Sequence, residues 1–422
     1  MYLHFPTNRT TGFDPIRKES LEQSYTKYND PLINKTIACQ LTEISNRIIT
    51  EVKDVISLFL IGGYARGEGS VLIEDGKIVP LGDYDFLAIS RFPHFPRSFS
   101  WLESMQKKFR VQYHIGVDIV WKSLLPFLQK RIYWYESKFG SRLLFGDKSV
   151  LDLVPISGGS DVDLKEGFSL MSNRLMGLLK MFDFKFLDYD PSKEQRQHLI
   201  FQSAKAVLSC GESLLLLNHN YHFSYEERLR RLSKSFKNDF DELLTVDLAI
   251  KEDYEKATYF KLKPEFEMYR DCIKFWFTAK QHVLQTLSFF IRKTMLGANS
   301  LSRKLDVSDD IDFFPKFLLR TSKPELLDFM KFNCNAIKYL KSLTGLRPIT
   351  TSYSDIVRAS LFYLALAVKE NGDVDGELLD KALILVGRIV PTSRRINEEK
   401  DLRKKWQSVR NIVYLAWTLA RQ

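Results

Sequence analysis

Cysteine is scarce: Cys39, Cys210, Cys272 and Cys334 stand far apart in a chain of 422 residues and share no paired spacing. Such isolation excludes a disulfide framework and a cysteine-rich zinc site. It is the pattern of small apolar residues meant for burial in a reducing compartment. No run of about 18 apolar residues is present, so no membrane-crossing helix and no membrane partner are expected. The first residues lack the basic-then-apolar pattern of a secretory signal, and the expected location is cytoplasmic. No internal repeat or low-complexity tract breaks the chain, which sets repeat arrays aside.

What is present is a basic surplus. Lys and Arg number 62 against 52 Asp and Glu, a net charge of +10 with a pI near 9.1. The surplus favours polyanionic partners, either triphosphates or nucleic acid, but it is spread along the chain rather than held in one tail. The length is enough for two or three domains and a large core.

The informative stretch runs from Leu58 to Ser90. It begins within an apolar run of strand length, Val55 to Ile61, and breaks on Gly62-Gly63. A charged, glycine-punctuated turn follows, ending at Gly69, and then a second strand over Asp83 to Ile89. Side chains on a strand alternate faces, so Asp83 and Asp85 share one face while Tyr84 and Phe86 point into a core. Two carboxylates side by side repel, and a hard divalent cation is the natural partner for them. Gly62 to Gly67 has the glycine spacing of a P-loop, but Glu68 stands where lysine is required, and a dinucleotide fingerprint fails for want of a following βαβ unit.

The pattern of an apolar strand, a glycine pair, a spacer and then Asp-x-Asp on a strand resembles the DNA polymerase beta-type nucleotidyltransferase superfamily, over roughly residues 50 to 125. The resemblance implies a third carboxylate from a neighbouring strand, and Gly116-Val-Asp-Ile-Val-Trp121 supplies Asp118. Two departures stand out. The glycine pair lacks the family's usual serine, whose hydroxyl touches a phosphate, and the spacer from Gly63 to Asp83 has room for a hairpin turning at Asp75-Gly76.

The resemblance further implies Mg²⁺ or Mn²⁺ held by Asp83, Asp85 and Asp118. One ion neutralises the phosphates and the leaving pyrophosphate. The other lowers the pKa of the acceptor hydroxyl, with Asp118 as shared ligand or base. Gly62 and Gly63 would aim backbone N–H groups at phosphate oxygens, besides making a tight turn. Arg66 would meet the triphosphate or simply be solvated, and Glu68 would pair with Arg66 or orient the acceptor. Family members place a lysine on a helix facing the palm, and Lys205, between Ala204 and Ala206, matches that position.

Around these motifs the predicted order is a polar, irregular segment over 1–30, an α/β palm over 31–157, a helical region over 158–300 and a further helical region over 301–422, the last two forming one domain or two. Within the palm, a helix is expected from Leu32 to Lys53 and another from Ser98 to Phe109. Tyr133–Phe139 and Arg142–Phe145 read as short edge elements. Beyond Gly158 the apolar period becomes helical, giving Leu164–Phe182, Ser192–Leu217, Tyr225–Phe236, Asp239–Phe260 and a long helix Pro264–Leu296 stopped by Gly297. Further helices follow from Pro324, punctuated at Gly345, Asn371-Gly372 and Pro391. The polar, aromatic stretch Asn218–Tyr225 with Arg228, Arg230 and Arg231 reads as a capping loop, or as the lining of an acceptor pocket. The charged run Asp401–Trp406 reads as a solvated helix face.

The fold class expected is therefore an α/β nucleotidyltransferase palm, a small mixed sheet with helices, followed by an all-α region. The expected reaction is metal-dependent transfer of a nucleoside monophosphate from NTP to an acceptor hydroxyl. The acceptor would be a small molecule or a protein. The alternatives are a template-independent RNA-tailing enzyme, nucleic acid being the less favoured partner, and a catalytically silent nucleotide-binding scaffold.

Overall fold

The structure is a computed structural model that describes residues 24–52, 54–74, 76–91, 97–123, 129–295, 352–390 and 398–421, with positions 315, 319 and 396. The chain divides into two compact units: Met1–Gly158 with Lys261–Pro264, and Gly159–Phe260 with Glu265–Gln422.

The first unit is built on a mixed four-stranded sheet. Helix α1 (Pro31–Glu51) leads into β1 (Val55–Ile61) and the single turn α2 (Gly62–Ala65). A separate hairpin, β2 (Ser70–Glu74) and β3 (Lys77–Leu81), precedes β4 (Asp83–Ser90), α3 (Arg97–Tyr113), β5 (Gly116–Ser123), α4 (Ile132–Gly140) and β6 (Arg142–Phe145). The sheet order is β5-β4-β1-β6, with β1 antiparallel to both β4 and β6, and β4 parallel to β5. A parallel neighbour needs a crossover, and α3 provides it.

One face of the sheet carries the apolar core. Ile33, Ile37, Leu41, Ile44 and Ile48 of α1 and Leu102, Met105 and Phe109 of α3 pack on Leu58, Leu60, Tyr84, Phe86, Ala88, Val117 and Ile119. The α1 start is fixed by Asp30, whose carboxylate accepts from the N–H of Leu32 and Ile33. Tyr84 spans from sheet to helix, its hydroxyl donating to Gln40 Oε1 at 2.7 Å. The even-numbered residues of β4 are thus spent on the core, which leaves Asp83 and Asp85 on the opposite face.

Tyr133–Phe139 is not an edge element. It forms the body of α4, which buries Trp134, Tyr135, Ser137 and Gly140. Aromatic residues favour strands on average, and burial on a helical face overrides that preference here. Arg142–Phe145 is an edge strand, β6.

The second unit is helical. Its described helices are α5 (Lys165–Met181), α6 (Lys193–Leu217), α7 (Tyr225–Asp239), α8 (Asp241–Val246), α9 (Ile250–Leu262), α10 (Cys272–Met295), Tyr353–Leu366, Gly376–Val386 and Leu402–Arg421. Helix α6 starts on a capping box made by Ser192 and Gln195. It is long and apolar enough to cross a membrane by length and composition alone, yet 83% of that stretch is buried inside the protein, as the core helix of a bundle is.

Two expected helices are cut. Asp239–Phe260 breaks at Asp247, which leaves the helical conformation at the C-terminus of α8. Pro264 does not start a helix. A short 3₁₀ turn, Phe266–Met268, intervenes, and α10 opens at Cys272 where the Asp271 carboxylate accepts from the N–H of Lys274 at 2.8 Å. Cys39 is exposed rather than buried, while Cys210 and Cys272 are buried. Residues 1–23, Leu296, Gly297, Pro324, Cys334, Gly345 and Pro391 lie outside the described residues.

Candidate active site

Asp85 and Asp118 are direct partners across the parallel β4–β5 pair, and Asp83 is the partner of Gly116. Registered residues on neighbouring strands point to the same side, so all three aspartates occupy the face opposite that core, a face that is itself covered farther along β4 at Leu87 and Ile89. Asp83 and Asp85 are half-buried and Asp118 is exposed.

The carboxylates are accommodated by glycines. A Cβ on Gly116 would stand 1.6 Å from Asp83 Oδ1, and one on Gly62 would stand 2.5 Å from Asp85 Oδ2. Asp83 therefore leans across toward β5 and Asp85 toward the end of β1, the splay that like charges favour. Among the described residues no group of three or more His, Cys, Asp or Glu side chains is gathered tightly enough to hold a metal ion. Gly116 is a site residue that sequence reasoning missed. Its only signal is its place two residues before Asp118.

Gly62 has a φ of +73°, so the turn after β1 needs glycine there for backbone reasons as well. Ile61, at the N-cap of α2, provides no side-chain cap. The Gly63 carbonyl accepts from the N–H of Glu68 at 2.8 Å, which closes the loop.

Arg66 is placed inward. Its side chain is 4% exposed, with Nε 3.2 Å from Glu68 Oε2 and Nη1 3.3 Å from Glu136 Oε2. Glu68 is buried with it. The guanidinium thereby ties the end of α2 to α4. Arg142 is committed in the same way, donating to the backbone carbonyls of Ala65 and Ser24 and lying 4.6 Å from the centre of the Tyr25 ring.

Helix α4 packs against α2 and β1. Tyr133, on its first turn, has its phenol pushed above the ordinary tyrosine range by burial and, more weakly, by the negative charge of Asp85. The Ser137 hydroxyl beside it acts the other way. A surface groove of about 980 Å³ runs along α1, past Asn34, Ala38 and Thr42, and includes none of the three aspartates.

Lys205 belongs to the second unit, on α6, with its ammonium 4.4 Å from the centre of the Phe201 ring. The Asn218–Tyr225 stretch, also there, is organised by Arg228. Its guanidinium pairs with Glu212, donates to the carbonyls of His222 and Phe223, and stacks against Tyr221 and Tyr225. Ser224 caps α7 by accepting from the N–H of Glu227. Trp406 is fully buried and donates to the Leu364 carbonyl at 2.9 Å, so the Asp401–Trp406 run is anchored in a core.

The second unit also holds a cluster the sequence does not announce. His282 on α10 sits between two carboxylates, with Nδ1 2.6 Å from Asp247 Oδ2 and Nε2 2.9 Å from Asp253 Oδ2. Burial works against its charge, but the two carboxylates outweigh it and raise the imidazole to about 9. No known family pattern and no curated protein matches this chain.

Proposed function

We propose that the first unit is a nucleotidyltransferase palm and that the protein transfers a nucleoside monophosphate from NTP to an acceptor hydroxyl, releasing pyrophosphate. One observation carries the reading: three carboxylates share one face of a mixed sheet, two of them in register on adjacent strands, with glycines where any Cβ would strike them. Like charges gathered on one strand face, two of them half-buried, carry a cost that a cationic ligand would relieve.

The donor set is all carboxylate oxygen, the chemistry a hard divalent cation prefers, and the splayed side chains would have to turn toward one another to hold it. Asp83, Asp85 and Asp118 would hold it, and two such ions would neutralise the triphosphate and acidify the acceptor hydroxyl. Asp118, the most exposed of the three, stands where an acceptor can approach. Its carboxylate would take the hydroxyl proton as the oxygen attacks the α-phosphorus and pyrophosphate leaves. Asp83 and Asp85 fix the phosphate side of the site. Gly62 and Gly63 let the nucleotide come close to the backbone. The acceptor is taken to be a small molecule or a protein, because the described elements include no recognised nucleic-acid module.

The test is incubation of the protein with each labelled NTP and Mg²⁺ in the presence of candidate acceptors, with mass spectrometry of whatever gains mass. A nucleoside monophosphate adduct that is lost in Asp83→Asn and Asp85→Asn supports the reading. No adduct and no pyrophosphate release with any NTP would sink it.

A further inference from the structure

Three hydroxyls along α4 have no hydrogen-bond partner although their oxygens are buried: Tyr133, Ser137 and Ser141. They are spaced by four residues, which puts them in one row along the helix and its C-terminal cap. Ser203 and Thr286 in the second unit are also buried without a partner, but singly and not in a row, and many other helical hydroxyls bond back to their own helix. Thr42 donates to the Ala38 carbonyl, Ser45 to Leu41 and Ser172 to Phe168, each one turn back. Ser137 could donate to the Tyr133 carbonyl in the same way and does not.

The row lies on the carboxylate side. Leu60 of β1 is in the apolar core and is the partner of Arg142 across β1–β6. Arg142 therefore takes the core face, and Ser141, extended and immediately before it, takes the opposite face, the one Asp85 occupies. At the other end of the row, the Tyr133 hydroxyl is close enough to Asp85 to feel its charge. Tyr133 and Ser137 are neighbours whose hydroxyls influence each other, yet neither oxygen has a partner in full hydrogen-bond geometry.

A buried hydroxyl left without a partner costs about 1–3 kcal/mol, so three in one row beside a carboxylate site call for a ligand. We propose that Tyr133, Ser137 and Ser141 form a hydroxyl wall that donates hydrogen bonds to oxygens of the triphosphate. The inference rests on the nucleotidyltransferase reading and names the contacts on one side of its site. The two arginines nearest this row are already committed: Arg66 to Glu68 and Glu136, Arg142 to backbone carbonyls. Neutral donors remain, and they hold phosphate oxygens without competing with the aspartates for a cation. Serine hydroxyls reach a ligand by a single χ1 turn.

The test is calorimetry of wild-type protein, Tyr133→Phe, Ser137→Ala and Ser141→Ala with Mg²⁺ and each NTP, and with Mg²⁺ and pyrophosphate, alongside melting curves. Each substitution should weaken NTP and pyrophosphate binding by about tenfold, equally for all four bases, since a hydroxyl on a phosphate does not read the base. Melting temperatures should hold or rise, because an unpartnered buried hydroxyl is being removed. Ser137→Thr, which keeps a hydroxyl, should retain more of the affinity than Ser137→Ala. Unchanged affinity in all three variants, while wild type binds and Asp83→Asn does not, overturns the hydroxyl wall and leaves the palm reading standing. If wild-type protein binds neither NTP nor pyrophosphate with Mg²⁺, both readings fall.

Discussion

The backbone of Gly116 lies directly under the carboxylate of Asp83, so close that a Cβ on Gly116 would be 1.6 Å from Asp83 Oδ1. The pair joins two adjacent strands in register, and it makes a glycine on β5 part of the geometry of an aspartate on β4. The atom struck is the end of a flexible side chain, not backbone. Gly116→Ala should therefore leave the sheet intact and swing the carboxylate aside. Expected are a melting temperature within a few degrees of wild type and a loss of Mg²⁺-dependent NTP binding of tenfold or more. Gly76→Ala is the control: a Cβ there meets nothing within 4 Å, so any effect belongs to its φ of +72° and falls on stability alone. Equal nucleotide affinity in Gly116→Ala and wild type would remove Asp83 from the site.

Removing a charge from the aspartate row should stabilise the ligand-free protein while ending its chemistry. Asp85 faces Asp118 across the strand pair, and like charges directly opposite are destabilising by about 0.2–1 kcal/mol. Asp85→Asn should hold or raise the melting temperature without metal and abolish the extra stabilisation that Mg²⁺ and NTP give together. A variant that melts lower without metal and still transfers would contradict both halves of this expectation.

Much of this site was legible in the chain because it rests on local pattern. The apolar run Val55–Ile61 is a strand in its entirety, and the alternation Asp83-Tyr84-Asp85-Phe86 states which side of the sheet is core. The turn at Gly76 between β2 and β3 was likewise local: Glu74 pairs with Lys77, leaving two residues for the loop. What was hidden is tertiary. Nine aromatic-rich residues of α4 are too few to display a helical period, so Tyr133 and Ser137 carried no visible role. Arg66 looked like a free cation in a glycine turn because its second carboxylate, Glu136, comes 70 residues later. His282 is on α10, Asp253 on α9 and Asp247 just past the end of α8, and no spacing along the chain marks them as a group.

Arg66 gives a clean way to tell bracing from binding. Its guanidinium is buried with two carboxylates, and removing one member of a buried pair strands the other charges. Arg66→Met should cost about 3 kcal/mol, at the lower end for such pairs because Glu136 keeps partial contact with solvent. Arg66→Lys should recover only part of that, since an ammonium cannot span both partners with the same fork. Thermal melts read this directly. An unchanged melting temperature joined to a tenfold loss of NTP affinity would instead make Arg66 a phosphate ligand.

The His282 cluster makes stability of the second unit depend on pH in a defined window. An ordinary histidine titrates near 6.5, and the two aspartates raise His282 to about 9 against the effect of burial. A group whose pKa is raised by folding contributes fully below the unfolded value and loses that contribution as pH rises through the folded one. The ionised clamp is therefore complete below about pH 6.5 and gone above about pH 9, a change of about 3 kcal/mol in all. Lys280, on the same helix, runs the other way: burial pushes its ammonium down to about 8, so its share of stability rises from pH 8 toward the ordinary lysine value. Denaturant midpoints should fall from pH 6.5 to 8, where His282 acts alone, flatten from pH 8 to 9, where the two oppose, and rise again above pH 9, where Lys280 acts alone. His282→Gln should lower stability at pH 6 and erase the slope between pH 6.5 and 8. A slope that persists in His282→Gln would mean the proton is taken up elsewhere, and that the imidazole between Asp247 and Asp253 is neutral.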